Sequence, residues 1–227
     1  MAAKDRMAVL AAIVEQSIIP VFYDPDTEVC RSVIQACANG GAKCIEFTNR
    51  GEFAAHTFLD VTRHFAAVDP SVIMGVGSVV DAPTAGLYIA NGARFVVGPL
   101  LNAEVARVCN RRGVPYSPGC GSATEIGDAQ ELGCEIVKVF PGGSVGGPDF
   151  VKSVMAPMPW TRIMPTGGVD PSEDSLRKWF GAGIVACGIG SNLITKELLK
   201  AKDYVGIERK VREAIELATR IKRELGR

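Results

Sequence analysis

The chain has 227 residues, enough for one sizeable core, and its 25 basic and 25 acidic residues cancel. That balance leaves no global field to draw nucleic acid or an anionic membrane surface. The longest uncharged stretch, Phe180 to Thr195, is broken by Gly181, Gly183, Gly188 and Gly190 and is shorter than the roughly 20 apolar residues a spanning helix needs. Lys4-Asp5-Arg6 and then Glu15 leave no apolar signal core at the amino terminus, so the expectation is a cytoplasmic protein.

Cysteine usage agrees with a reducing compartment. Cys30, Cys37, Cys44, Cys109, Cys120, Cys134 and Cys187 are odd in number and form no Cys-x-x-Cys pair, which suits reduced thiols used as small packing residues. His56 and His64 are the only histidines and lack ligand spacing, so no metal is expected.

Runs rich in Val, Ile and Phe alternate with helical patterns along the chain. An amphipathic helix, Asp5–Gln16, comes first and is expected to plug one end of the fold through Val9, Leu10, Ile13 and Val14. Strands are then expected at Ile18–Tyr23, Ala42–Thr48, Val72–Gly77, Arg94–Gly98, Pro115–Pro118, Glu135–Phe140, Arg162–Pro165 and Ile184–Gly188. Helical segments between them include Asp26–Asn39, Asn102–Arg112, Ser122–Leu132 and Pro171–Phe180, with caps at Asp81, Ser122 and Asp170. A last helix, Tyr204–Leu225, carries apolar residues at helical spacing from Ile207 to Leu225. Eight strand–helix units imply parallel strands and right-handed crossovers. The fold class expected is α/β, a (β/α)8 TIM barrel forming one domain over residues 1–227, with an extra amino-terminal helix and a carboxy-terminal helix.

Such barrels place their chemistry where the strands end. The second strand ends in Glu46-Phe47-Thr48-Asn49-Arg50; two-residue alternation puts Cys44, Glu46 and Thr48 on one face. A Glu pointing inward is costly unless it has a partner or a chemical role, and Arg50 is one available partner. In the sixth strand Ile136, Lys138 and Phe140 share a face. An ammonium among Ile, Val and Phe loses hydration, which favours the neutral nucleophilic amine and Schiff-base chemistry. A Lys that snorkels to the surface is the plainer alternative. If both faces point inward, Lys138 and Glu46 open on one cavity. Thr166-Gly167-Gly168 and Gly188-Ile189-Gly190-Ser191 follow the seventh and eighth strands, where bare backbone N–H groups suit a phosphate or merely make tight turns. Gly75-Val76-Gly77-Ser78 and Gly98-Pro99 leave room for a small molecule.

Together these features resemble the KDPG/KHG aldolases, class I enzymes that cleave 2-keto-3-deoxy-6-phosphogluconate. The resemblance rests on Ile19-Pro20-Val21, Glu46-x-x-x-Arg50, Gly75-x-Gly77-Ser78, Gly98-Pro99, Pro118-Gly119, Val137-Lys138-x-Phe140-Pro141, Pro165-Thr166-Gly167-Gly168 and Gly188-Ile189-Gly190-Ser191, in order from Ile18 to Ser191. It implies Lys138 as the Schiff-base amine and Glu46 as the general acid/base. Arg50, Ser78, Pro99, Phe140 and Thr166 would bind the keto acid and aldehyde; Gly167, Gly168, Gly190 and Ser191 would bind phosphate. It also implies no metal or cofactor, a homotrimer, and a place in sugar-acid breakdown of the Entner-Doudoroff type. Asn49, Asn192 and the glycine-rich run at 142–147 depart from the family pattern and are expected to bear on aldehyde preference. Two other readings fit a barrel with late phosphate loops: a phosphosugar epimerase or thiamin-phosphate-synthase type, and a non-catalytic sugar-phosphate binder.

Overall fold

A computed structural model describes residues 5–226; Lys4 of the amino-terminal run and Arg227 lie outside them. Strands β1 (Ile18–Phe22), β2 (Cys44–Thr48), β3 (Ile73–Gly77), β4 (Val96–Val97) and β5 (Tyr116–Ser117) pair in that order, with β9 (Cys187–Ile189) on the other side of β1. A second set joins β6 (Gly119–Cys120), β7 (Val137–Val139) and β8 (Ile163–Pro165). All pairings are parallel, and a parallel bridge links Thr166 to Gly188 beyond β8 and β9. The result is a curled parallel sheet with helices outside it.

Four strands differ from expectation, the fourth in the chain contracting to two residues. Pro118 divides the fifth into β5 and β6, because it has no N–H for the ladder, although its carbonyl still accepts from the Lys138 amide at 3.0 Å. The sixth contracts to three residues, and the eighth begins at Cys187, where its amide reaches Ser17 O and runs alongside β1.

Helices α2 (Thr27–Asn39), α3 (Ala54–Val68), α4 (Ala82–Ala90), α5 (Ala103–Arg112), α6 (Ala123–Glu131), α7 (Gly147–Met155), α8 (Glu173–Ala182) and α9 (Lys196–Ala201) follow successive strands. Asp81 and Ser122 cap α4 and α6 as expected. For α8 the cap is Ser172, because the Asp170 carboxylate is engaged in a turn with the Ser172 amide at 2.9 Å. The long α10 (Tyr204–Glu224) packs on α2, α8 and β1. It therefore lies among the outer helices, between α2 and α8.

Side-chain alternation separates two cores. Ile45, Phe47, Val76, Val96, Val137, Val139 and Ile163 pack outward under the helices. Ile19, Cys44, Ile73, Phe95, Val97, Ile136, Met164 and Ala186 point inward and meet Val9, Leu10 and Ile13 of α1 (Arg6–Gln16), the plug the sequence implied. Polar contacts at its ends hold the plug in place. The Gln16 amide donates to Ile18 O and Cys44 O at 2.8 Å and accepts from the Lys43 and Cys44 amides. Arg6 pairs with Glu135 at 2.7 Å, and Lys222 of α10 donates to Val14 O and Ser17 Oγ.

Phe95 fills the plug directly against β3: a Cβ added to Gly75 would run into its ring. Gly75→Ala is expected to cost about 1–3 kcal/mol by overpacking, and much less in a Phe95→Leu background that vacates the space. Urea unfolding of the four-member mutant cycle checks this; equal costs in both backgrounds would show that the ring is not what Gly75 accommodates.

Candidate active site

One pleat above the plug, the interior changes character. Glu46 stands in register with Val21 and Gly75, and Lys138 with Gly119 and Met164. Both side chains are buried, at 2% and 5% exposure, so the alternative of a snorkelling Lys138 does not hold. The Lys138 ammonium position lies 4.5 Å from the Phe140 ring centroid. Space for Glu46 comes from a neighbour without a side chain, since a Cβ on Gly77 would collide with Glu46 Oε1.

Burial decides the protonation of this pair. Loss of hydration pushes the Glu46 carboxyl up, against the attraction of Lys138 and Arg50. The same cause pushes the Lys138 amine down, with Glu46 pulling it up and Arg50 lowering it further. Both are thereby biased toward neutral forms. Glu46 Oε2 is buried without a hydrogen-bond partner. The expected alternative pairing with Arg50 is also absent among the described residues: the Arg50 Nε donates instead to Ser78 Oγ at 3.2 Å. Ser78 sits at φ 61°, a left-handed conformation rare for a residue other than Gly.

Above this level opens a cavity of about 480 Å³. It brings together Arg50, Phe140, Thr166, Gly167, Gly168, Gly190 and Ser191 from the sequence-based set, and adds Phe22, Tyr23, Thr48, Asn192 and Lys196. Lys138 and Glu46, expected to open on this cavity, are not among its lining residues; Phe140, which is, lies over the Lys138 amine. Thr166 Oγ1 is buried and unpartnered, and the bare Gly188 makes room for it, since a Cβ there would stand 2.7 Å away. Gly167 and Gly168 have φ of 83° and 78°, left-handed positions that glycine adopts without strain, and both present bare backbone to the cavity. Neither N–H is taken by a protein acceptor among the described residues.

Three expectations need correction. Ser78 does not line the cavity and is tied to it through Arg50, from whose Nε it accepts. Pro99 does not line the cavity; its carbonyl is pressed against Gly119, whose Cβ it would exclude, one strand from Lys138. Asn49 faces outward, accepting from the buried Tyr88 hydroxyl at 2.9 Å, as alternation from Thr48 requires. The glycine-rich run after β7 also supports the fold. Gly142 and Gly143 donate to Thr166 O and Gly167 O at 2.9 Å, and Gly143 lies too close to Gly168 for a side chain on the latter. Of the residues sequence reading missed, Thr48 was signalled by its shared face with Glu46, whereas nothing local marked Lys196.

The seven cysteines are buried, and burial pushes Cys37 and Cys120 up to about 12, far from a reactive thiolate. Among the described residues no three His, Cys, Asp or Glu side chains cluster as metal ligands, and no helix is long and apolar enough to cross a membrane.

Comparison with known proteins agrees with this geometry. Residues 9–210 match the family model described as KDPG and KHG aldolase. The 2-dehydro-3-deoxy-phosphogluconate aldolase of Pseudomonas aeruginosa is 34% identical over 203 residues, 89% of each chain. Its namesake in Haemophilus influenzae is 32% identical over 204 residues, covering 89% of this chain and 93% of that one. A crystal structure of the KDPG aldolase from Legionella pneumophila, with pyruvate captured as a covalent carbinolamine, shares the fold at TM-score 0.82 and 24% identity, over 90% of this chain and 96% of that one. The chain belongs to the KDPG and KHG aldolase family.

Proposed function

We propose that the protein is a class I aldolase that reversibly cleaves a 2-keto-3-deoxy-6-phospho sugar acid to pyruvate and glyceraldehyde 3-phosphate, with 4-hydroxy-2-oxoglutarate as a further substrate giving glyoxylate. The observation that carries this reading is the buried Lys138 amine, biased neutral and electrostatically coupled to an equally buried Glu46 biased toward its protonated form. The carbinolamine in the Legionella relative supports the same covalent chemistry.

The steps follow from those protonation states. Neutral Lys138 attacks the C2 carbonyl and gives a carbinolamine; Glu46 donates its proton to the departing hydroxyl, so water leaves and an iminium forms. The cation now fixed beside Glu46 stabilises its carboxylate, which turns the acid into a base. Glu46 takes the C4 hydroxyl proton, directly or through water, and the C3–C4 electrons flow toward the iminium nitrogen. The aldehyde departs, Glu46 returns a proton to C3 of the enamine, and hydrolysis frees pyruvate and Lys138. Arg50, oriented by Ser78, and Thr166 are assigned to the keto-acid carboxylate and aldehyde, with Phe140 packing on the amine. Gly167, Gly168, Gly190 and Ser191 take the phosphate.

In this reading the two strand sets close as one (β/α)8 barrel and a single domain: β5 and β6 are halves of one strand, and the Thr166–Gly188 bridge joins the remaining gap. No metal takes part, and the protein works in the cytoplasm as a homotrimer. Exposed Phe53, Val80, Leu87 and Leu100, all after β2 to β4, offer apolar surface for that assembly. Sedimentation equilibrium is expected to return three chain masses; a monomer at micromolar concentration would refute the trimer.

Borohydride reduction in the presence of pyruvate is expected to leave one adduct, on Lys138, with turnover undiminished in EDTA. Peptide mass mapping that finds the adduct elsewhere, or none, removes the basis for the mechanism. Glu46→Gln is expected to lower kcat by roughly 10²–10⁴. It also removes the charge that raises the Lys138 pKa, so the acid limb of adduct formation moves to lower pH. Stopped-flow trapping across pH reads that midpoint; a shift upward would contradict the proposed coupling.

A further inference from the structure

The cavity wall carries an electrostatic asymmetry that the catalytic pair does not explain. Its charged lining side chains among the described residues are Arg50 and Lys196, both cationic, and no carboxylate lines it, although the chain as a whole is neutral. The two come from different units: Arg50 follows β2, and Lys196 opens α9 after β9. Because β1 lies between β2 and β9 in the sheet, they flank the β1 end from opposite sides. Arg50 stands at the keto-acid end, since its charge acts on both Glu46 and Lys138. Lys196 lines the same cavity as Gly168, Ser191 and Asn192, two strands away from Arg50 in the sheet order. On that lining Asn192 is already engaged, its amide donating to Val169 O at 3.3 Å, so Lys196 is the charged donor that remains besides Arg50.

We infer that Lys196 is a specificity residue which selects substrates bearing a second anion at the end remote from the keto acid, a phosphate above all. The inference rests on the aldolase reading of the same site. Backbone N–H groups fix a phosphate by direction but carry no net charge; an ammonium on a flexible stem supplies the charge as a point contact. With Arg50 on one anion and Lys196 on the other, the cavity matches a rod-shaped substrate negative at both ends. A substrate with a neutral distal hydroxyl would leave Lys196 in solvent and gain nothing from it.

The test compares kcat/KM for 2-keto-3-deoxy-6-phosphogluconate and for its unphosphorylated counterpart in the wild type, Lys196→Ala and Lys196→Arg. The preference for the phosphorylated acid is expected to fall about fivefold in Lys196→Ala, as suits one half-solvated charge contact. The loss should lie in KM, shrink at high ionic strength, and be largely restored in Lys196→Arg. Lys196 is exposed, so the variants are expected to fold, which circular dichroism verifies. An unchanged preference in a variant that still turns over both acids overturns the role of Lys196 and leaves the aldolase reading standing. A wild-type chain that cleaves neither acid overturns that reading, and this inference with it.

Discussion

The structure depends on keeping one amine dry. Lys138 emerges from a β-strand into an interior closed below by the apolar plug of α1 and roofed by Phe140. Water, which would hold the amine charged, is excluded by the packing that leaves Lys138 only 5% exposed. The one nearby carboxylate opposes this by attracting a proton to the nitrogen, yet Glu46 is itself too deeply buried to hold its charge easily. Two groups that would form an ion pair in water are thus both pressed toward neutrality, and neither has to be desolvated when substrate arrives.

Glycines create the space this requires. Gly77 yields to Glu46, Gly188 to Thr166 and Gly119 to the carbonyl of Pro99. Each stands on an inward position where a Val or Ile would strengthen the sheet and fill the core. Strand glycines weaken pairing and leave less to pack, so the functional level of the interior is less stable than the plug beneath it. The plug offsets this. Large apolar side chains crowd the lower layer, where β3 also gives up a side chain at Gly75 to seat Phe95.

Much of this was legible in the sequence because strand alternation is strict. Once Lys138 and Glu46 were assigned to inward faces, the positions of Thr48, Phe140 and Thr166 followed, and so should the outward turn of Asn49, which is bound to Tyr88. What stayed hidden involves contacts between distant segments. Pro118 looked like a strand end, but the strand resumes at Gly119 because the neighbouring β7 needs only the Pro118 carbonyl. Helix α10 read as an appendage because its place in the ring is set by α2 and α8, each far from it in sequence. Lys196 gave no local signal, since its place on the cavity depends on how the segment after β9 packs.

The division between levels explains how such a site can change its aldehyde without losing its chemistry. The reacting groups rise from strands whose register is fixed by both cores, so their mutual geometry is insulated from the rim. Rim residues sit on loops and helix starts: Asn192 and Lys196 after β9, Gly142 and Gly143 after β7. Substitution there alters what the far end of the cavity attracts while leaving the dry amine untouched. The exception is Arg50, which stands on a loop, is tied to Ser78 at its left-handed position, and still acts electrostatically on both Lys138 and Glu46. That tether constrains the one rim cation whose displacement would reach the chemistry, and it gives a physical reason for a serine to hold a backbone conformation that glycine would adopt without strain.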